Sequence, residues 1–425
     1  MSNREIKDCV IAAGGKGTRL FSHNGGKPKA LTRVMEREII FDQIDKFINY
    51  GCERVHIFLG YKADEIRDAV ASEFSNANVD IFYYTEMEAL GSGGALLFHL
   101  DKLPEVFLFT YCDIYFDLDI SRFVQHYFDS KSDVSLICHP NDHPQDSDLV
   151  VTNSGNRIVG LKAHPHVEDD FPGNLVNAAF YIMSKKSFAR IRFNGFEDFA
   201  QVTIPKLIKD NNVTAYVTHE LLKDMGTPER LKQVKLCISR RDQYEEKRVI
   251  FIDRDGTLND IVQGEYITEP SQIKLIPVVA EALVALRKMG YLIVLITNQP
   301  VLARGDLDPN GLAKIHARLD WLLSLSGAYL DYKFVCPHHP DKGFPGEVES
   351  LKIDCCCRKP KTGLLEQAAK IIDINYAGSW MVGDNWRDIE AGNKFGVKTC
   401  LVSDTPNPAA TLTTRSISML VKALS

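Results

Sequence analysis

The sequence predicts an α/β protein made of two successive units, each built on a mostly parallel sheet. Three observations carry this. Short apolar, β-branched runs alternate with helical patterns through almost all of the 425 residues, the pattern of strands joined by crossover helices. A strand-like run ends in a loop rich in Gly or Asp twice, after Cys9–Ala13 and again after Val249–Ile252. Between them lies 230–248, rich in charge and free of Gly and Pro, which reads as a closing helix and linker.

In chain order, strands are expected at Cys9–Ala13, Val55–Leu59, Val106–Thr110 and Val134–His139, then at Val249–Asp253, Tyr291–Thr297 and Trp380–Gly383. The expected units are residues 1–235 and 248–425, joined by a helical linker over 236–247. No internal repeat or low-complexity stretch competes with this division.

Hydrophobic residues make up 45% of the chain and charged residues 25%, enough for each unit to bury a core. A net charge of -6 without a long basic run argues against a nucleic-acid surface. The N-terminal MSNREIKDCVIAAGG lacks a signal-peptide layout. The apolar runs are strand-sized, far below the ~20 residues of a membrane helix. A soluble, cytoplasmic protein without membrane or nucleic-acid partners is therefore expected. Five of the ten cysteines are scattered through the front half, and four crowd into 336–357, which favours metal binding over a secreted disulfide framework.

The first loop, Ala13-Gly14-Gly15-Lys16-Gly17-Thr18-Arg19, follows its strand directly. Its glycines let backbone N–H groups approach phosphate oxygens, and Lys16 and Arg19 add cations suited to a triphosphate. Further on come Pro28-Lys29-Ala30-Leu31, Leu90-Gly91-Ser92-Gly93-Gly94, Cys112-Asp113 after an apolar strand, and Asp224-Met225-Gly226-Thr227-Pro228. In this order the motifs resemble the sugar-phosphate nucleotidyltransferases, over about residues 5–235. The resemblance implies that Ala13 to Arg19 wrap the nucleotide phosphates and that Lys29 meets the reacting phosphates. It places Gly91 against the base or sugar, Asn177 at the sugar phosphate, and Mg²⁺ on Asp113 and Asp224. Three positions depart from the family. Cys112 and Ala179 stand where Gly is usual, and the family's Glu-Lys-Pro is Ala163-His164-Pro165 here. Lys162 or His164 is left to bind the sugar phosphate.

In the second half, Asp253-Arg254-Asp255-Gly256-Thr257 follows a strand. Carboxylates at i and i+2 beyond a strand end can share a site with different tasks, Asp253 as nucleophile and Asp255 as acid and base. This motif resembles that of the haloacid-dehalogenase phosphatases, as do Thr297-Asn298, Arg358-Lys359-Pro360 and Gly383-Asp384. The resemblance implies phosphate binding by Thr297, Asn298 and Lys359, and Mg²⁺ held by Asp253, Asp255 and Asp384, with Asp388 behind them. Taken with the first half, it implies two Rossmann-like domains.

Cys336-Pro337-His338 and Cys355-Cys356-Cys357, sixteen residues apart, offer three thiolates and an imidazole, the soft tetrahedral set of a structural zinc. Register favours Cys336, His338, Cys355 and Cys357, with His339 as the competing histidine. This clip, followed at once by Arg358, resembles the heptose bisphosphate phosphatases and the related histidinol-phosphate phosphatases, with Arg304 as a substrate contact. A heptose 1,7-bisphosphate that loses its 7-phosphate becomes a sugar 1-phosphate, which a nucleotidyltransferase can activate; histidinol has no anomeric phosphate. The front half resembles the heptose 1-phosphate guanylyltransferases, implying GTP as donor and a GDP-heptose as product. Two alternatives stay open: a histidinol-phosphate phosphatase fused to another sugar activator, and a front half that only binds nucleotide sugar. The sequence also leaves open a homo-oligomer.

Overall fold

The computed structural model describes residues 5–17, 19, 25–166, 173–241, 246–261, 266–343 and 345–425. The front sheet has seven strands in the order Val213–Val217, Val134–Pro140, Leu175–Ser184, Val106–Tyr111, Asp8–Ala13, Arg54–Leu59 and Asp80–Thr85. Leu175–Ser184 runs antiparallel to both its neighbours and every other pair is parallel. The sheet is therefore mixed but mostly parallel.

The first strand shows why this sequence makes a central strand. Cys9, Ile11 and Ala13 enter the core on one face, and Val10 enters the core on the other. Both faces are covered, so the run is continuously apolar rather than alternating. Ile39–Tyr50, which packs on the first face, ends at Gly51 with φ 112°, a left-handed cap that suits glycine.

The second sheet has six strands, all parallel, in the order Tyr332–Cys336, Tyr291–Asn298, Arg248–Ile252, Trp380–Gly383, Lys398–Val402 and Leu412–Thr414. Its central strand again splits between two cores, Ile250 and Ile252 to one side, Val249 and Phe251 to the other. In both sheets the chain order reverses beside this central strand, which opens a crevice at the carboxyl ends of the strands. The loops after Ala13 and Ile252 lie at these crevices.

Strand limits differ from expectation by a residue or two. Val249–Asp253 becomes Arg248–Ile252, because Asp253 leaves the ladder and carries its side chain into the crevice. The helix expected from Arg230 starts at Pro228, whose fixed φ suits a first turn, and runs to Arg241. The halves touch directly: His219 Nδ1 pairs with the Tyr332 hydroxyl at 2.7 Å, and Gln145 Nε2 donates to Ser324 Oγ at 3.0 Å. Among the described residues, no helix is long and apolar enough to cross a membrane.

Two candidate active sites and a candidate metal clip

The front crevice is a cleft of about 500 Å³. Gly14, Gly15 and Lys16 line one wall, Lys29 and Asp113 one end, and the segment from Glu86 to Ser92 the other wall. Ala13 is buried and does not line it; strand alternation gives that place to Ala12. Gly17 packs on the stem of Lys29, and Arg19 is exposed. Thr18 lies outside the described residues. Gly91 lines the cleft with φ 71°, but a Cβ there would sit 2.5 Å from the Glu197 carbonyl oxygen. That backbone contact alone requires glycine here, whatever lies in the cleft.

Lys29 pairs with Asp113. The strand Leu221–Asp224 runs antiparallel to Ile114–Asp117, and Met225 N–H donates to the Asp113 carbonyl at 2.9 Å, so Asp224 lies beside Asp113 in the fold. Its carboxylate meets Arg230 and the Gly226 N–H. These hard oxygens suit Mg²⁺, and the cation already on each shows negative charge that calls for neutralisation. Cys112 is buried against this end, and burial pushes its thiol up to about 12, so it stays protonated.

A second hollow, about 550 Å³, shares Ser92 and Tyr111 with the cleft. Asn177 lines it, but Lys162 and His164 do not. His164 reaches only as far as Asp148, accepted by its carboxylate through the backbone N–H at 3.2 Å. In their place stand His139, Asn141 and His143, which sequence reasoning missed. The available signal was His139 next to the end of the mostly apolar run Val134–Pro140. Asn177 opens a bulge in its strand: its Oδ1 accepts from Ala179 N–H at 3.0 Å, its Nδ2 donates to the Tyr181 hydroxyl at 2.8 Å, and Ala179 has φ 58°. This left-handed turn is the physical reason glycine is usual at Ala179.

The second crevice is tighter, about 250 Å³, lined by Asp253, Asp255, Thr297, Asn298, Arg358, Lys359 and Asp384 among others. Lys359 is 3% exposed. Its Nζ lies 2.8 Å from Asp253 Oδ1, 2.6 Å from Asp388 Oδ1 and 2.8 Å from the Ile296 carbonyl. Burial works against its charge, but the two carboxylates outweigh burial and raise its pKa. Asn298 clamps the Lys359 backbone from both sides, accepting from its N–H at 3.0 Å and donating to its carbonyl at 3.1 Å. Gln299 Nε2 donates to Thr297 Oγ1 at 2.9 Å, a bond that does not use the proton of the buried threonine hydroxyl. Arg304 does not line the cleft; its guanidinium lies 5.2 Å from the ring centre of Tyr266, which does.

Oxygens of Asp253, Asp384 and Asp388 lie within 4.8 Å of one another. Burial, reinforced by the neighbouring carboxylates, pushes Asp384 up to about 6 and Asp388 up to about 7. Such crowding fits a hard divalent cation. The converging set thus differs from the expected one: Asp388 joins it and the Asp255 carboxylate does not. The reason is Arg254, 1% exposed, whose Nε and Nη2 grip the two Asp255 oxygens at 2.9 Å each. Burial opposes ionisation of Asp255, but Arg254, Asn259 and Gln299 outweigh it and hold the carboxyl below its ordinary range. Gly256 has φ 78°, and a Cβ there would lie 2.4 Å from Asp384 Oδ2, so the motif's glycine makes room for that carboxylate.

Cys336, His338, Cys355 and Cys357 also converge within 4.8 Å. The three sulfurs are 3.3–3.5 Å apart, and His338 Nδ1 is 3.3 Å from Cys357 Sγ. Zn–S bonds of ~2.3 Å make tetrahedral edges of roughly 3.8 Å, so the set is slightly tighter than a zinc site and need only open by a few tenths of an ångström to hold the ion. Cys356 is exposed, and His339 turns toward Asp341. Arg358 follows the clip at once and donates to the His338 carbonyl at 3.2 Å, which ties the clip to the crevice.

Residues 8–241 match the nucleotidyl transferase family, and residues 356–417 match a HAD-hydrolase-like family. The chain is 35% identical over 175 residues to a D-glycero-β-D-manno-heptose-1,7-bisphosphate 7-phosphatase of Photorhabdus laumondii, covering 41% of this chain and 90% of that protein. It is 41% identical over 162 residues to the enzyme of the same name from Pasteurella multocida, covering 38% and 84%. Among solved structures, HddC from Yersinia pseudotuberculosis is similar at 25% identity with a TM-score of 0.47, covering 55% of this chain and all of that one.

Proposed function

Because this chain belongs to the nucleotidyl transferase family and to the heptose bisphosphate phosphatases, we propose that it carries out two consecutive steps on one sugar. The second half removes the 7-phosphate of a heptose 1,7-bisphosphate. The first half then joins the resulting heptose 1-phosphate to GMP from GTP, giving GDP-heptose and pyrophosphate. The observation that carries this is the pairing, in one chain, of a likeness to 7-phosphatases with a nucleotidyl transferase match, since the product of one reaction is the substrate class of the other.

In the phosphatase half, an Asp253 oxygen attacks the phosphorus of the 7-phosphate and the bond to O7 breaks. Asp255, held ionised by Arg254 before substrate arrives, takes the proton of the incoming phosphate monoanion, gives it to the departing oxygen, and then takes one from the water that hydrolyses the aspartyl-phosphate. One proton therefore cycles through Asp255, and the Arg254 clamp governs how readily it is held. Thr297 and Lys359 hold the phosphoryl oxygens, and Arg358 meets the substrate. When bound on Asp253, Asp384 and Asp388, and on Asp113 and Asp224, Mg²⁺ supplies charge neutralisation in each site. Zinc on Cys336, His338, Cys355 and Cys357 is structural, since four protein ligands leave no open position.

In the transferase half, Gly14 to Arg19 and Lys29 hold the triphosphate. The heptose 1-phosphate attacks its α-phosphorus and pyrophosphate leaves, a step that needs alignment and charge more than a protein nucleophile. His139, Asn141, His143 and Asn177 are the groups we assign to the sugar phosphate. Glu86 supports guanine. It lines the cleft, with Oε2 accepting from Leu90 N–H at 3.1 Å and Oε1 unengaged by that contact. A carboxylate accepts only, and guanine alone among the common bases puts a ring N–H and an amino group side by side. The phosphatase relatives are named for the β-anomer of the bisphosphate. The phosphatase reacts at the far end of the sugar and the transferase at the anomeric phosphate, so the transferase half sets which anomer is carried forward.

The test supplies the full chain with Mg²⁺, either anomer of heptose 1,7-bisphosphate and each nucleoside triphosphate in turn. GDP-heptose should form, and Glu86→Gln should lose the preference for GTP. A product with another base would overturn the guanine assignment. Preference for histidinol phosphate over the heptose bisphosphate would overturn the phosphatase assignment.

A further inference from the structure

A cavity of about 470 Å³ lies where the two halves meet, apart from both reaction crevices. The first half contributes Val150, Asn153 and Asn174 to it, and the second half Leu312, His316 and Asp320. Its walls are largely apolar with a few placed polar groups, the usual make-up of a small-molecule site. Asn174 is 1% exposed, yet neither Oδ1 nor Nδ2 has a hydrogen-bond partner. Asp320 is 3% exposed; Lys333 engages its Oδ2, and Oδ1 has no partner. Buried polar atoms without partners are costly and rare in native proteins. Three in one cavity are groups held ready for something that enters it.

Charge narrows what enters. Lys333 is the one lysine or arginine lining the cavity among the described residues, and Asp320 already balances it. Burial, with Arg254 alongside, depresses the His316 pKa and keeps the ring neutral. No net positive charge is left to hold a phosphate, which disfavours every phosphorylated substrate and product of the two reactions. The unpartnered atoms ask for a donor at Asp320 Oδ1 and for a donor–acceptor edge at the Asn174 amide. The apolar walls ask for a flat, uncharged body.

The cavity is also wired to the phosphatase crevice. His316 Nε2 lies 3.3 Å from Arg254 Nη1, and Arg254 grips Asp255. A guanidinium only donates, so Nε2 accepts and the imidazole proton sits on Nδ1. A ligand that shifts His316 therefore shifts the clamp on Asp255.

We propose that this interdomain cavity binds a neutral, amide-edged heterocycle of nucleoside size, and that its occupancy alters the phosphatase reaction through His316 and Arg254. The coupling rests on the role assigned to Asp255; the binding does not.

Guanosine is the probe, with the full chain carrying its metals and its nucleotide cleft saturated with GTP, so that the guanine site of the first half is already filled. Millimolar guanosine should raise the Tm of the wild type and change phosphatase kcat/KM by about fivefold, the low end of ordinary coupling. Asn174→Leu should raise the Tm without ligand, because it removes an unpartnered buried amide, and should abolish the guanosine shift. Ala313→Phe, which fills the cavity from its other side, should abolish the shift as well. His316→Leu should keep a Tm shift and lose the kinetic response. No Tm shift in the wild type, or an equal shift in Asn174→Leu, would overturn the site. A shift lost in Asn174→Leu without any kinetic change in the wild type would overturn the coupling. Absence of activity on heptose bisphosphate counts against the functional assignment alone, since the Tm readout survives it.

Discussion

Replacing Lys359 by Met removes the ammonium held between Asp253 and Asp388 at 2.8 and 2.6 Å. Three carboxylates then face one another without a cation. Unit charges about 4 Å apart interact by about 4 kcal/mol at an effective dielectric of about 20. Removing one partner of a buried pair costs about 3–5 kcal/mol. Asp388, already pushed up to about 7, takes a proton and absorbs part of this. A net loss of about 2 kcal/mol in metal-free protein is expected. Mg²⁺ displaces that proton and no longer competes with an ammonium, so it should bind more tightly, by about tenfold for each 1.4 kcal/mol of repulsion relieved. Phosphoryl charge loses its stabilising cation, so phosphatase kcat should fall by about 10²-fold or more. Thermal unfolding with and without MgCl₂, alongside kcat, reads all three. A variant as stable as wild type without metal, or one that Mg²⁺ stabilises less than wild type, would refute this account of Lys359.

Two further perturbations test other parts of the molecule. Chelating the clip metal, or Cys357→Ser, should abolish phosphatase activity by releasing Arg358 and Lys359, while nucleotidyl transfer continues; metal-free protein with full phosphatase activity would contradict it. Asp8 anchors the first strand through Arg54 at 2.6 and 2.7 Å. Burial opposes its ionisation, but His56 and Arg54 outweigh burial and hold its pKa below the ordinary range. Its stabilisation is therefore present above the unfolded value and is lost as pH falls through the folded one. With Arg54 partly exposed, Asp8→Asn should cost about 1–2 kcal/mol near pH 7 and progressively less below about pH 4, read by urea unfolding. An equal cost at both pH values would contradict the ion pair.

The central strands were legible because both of their faces are buried, which makes the apolar runs continuous and their ends sharp. The phosphate loop and Asp253-x-Asp255 were legible because local backbone places them at strand ends. The clip was legible from spacing, since close ligand pairs at either end of one loop need no knowledge of the fold. What escaped depends on residues distant in sequence. His139, Asn141 and His143 meet Asn177 only through the pairing of Val134–Pro140 with Leu175–Ser184. The exchange of Asp255 for Asp388 in the carboxylate cluster follows from Arg254, whose buried grip no motif announces. The interdomain cavity requires both halves to be docked.

The central claim is one chain with two independent reaction sites working on one sugar. It is tested most directly by assaying Asp253→Asn and Asp113→Asn separately and mixed, with heptose 1,7-bisphosphate, GTP and Mg²⁺. Asp253→Asn should lose only phosphate release, Asp113→Asn should accumulate heptose 1-phosphate, and the mixture should regain GDP-heptose formation. Loss of both half-reactions in either variant, each assayed with its own substrate, would contradict the two-site account.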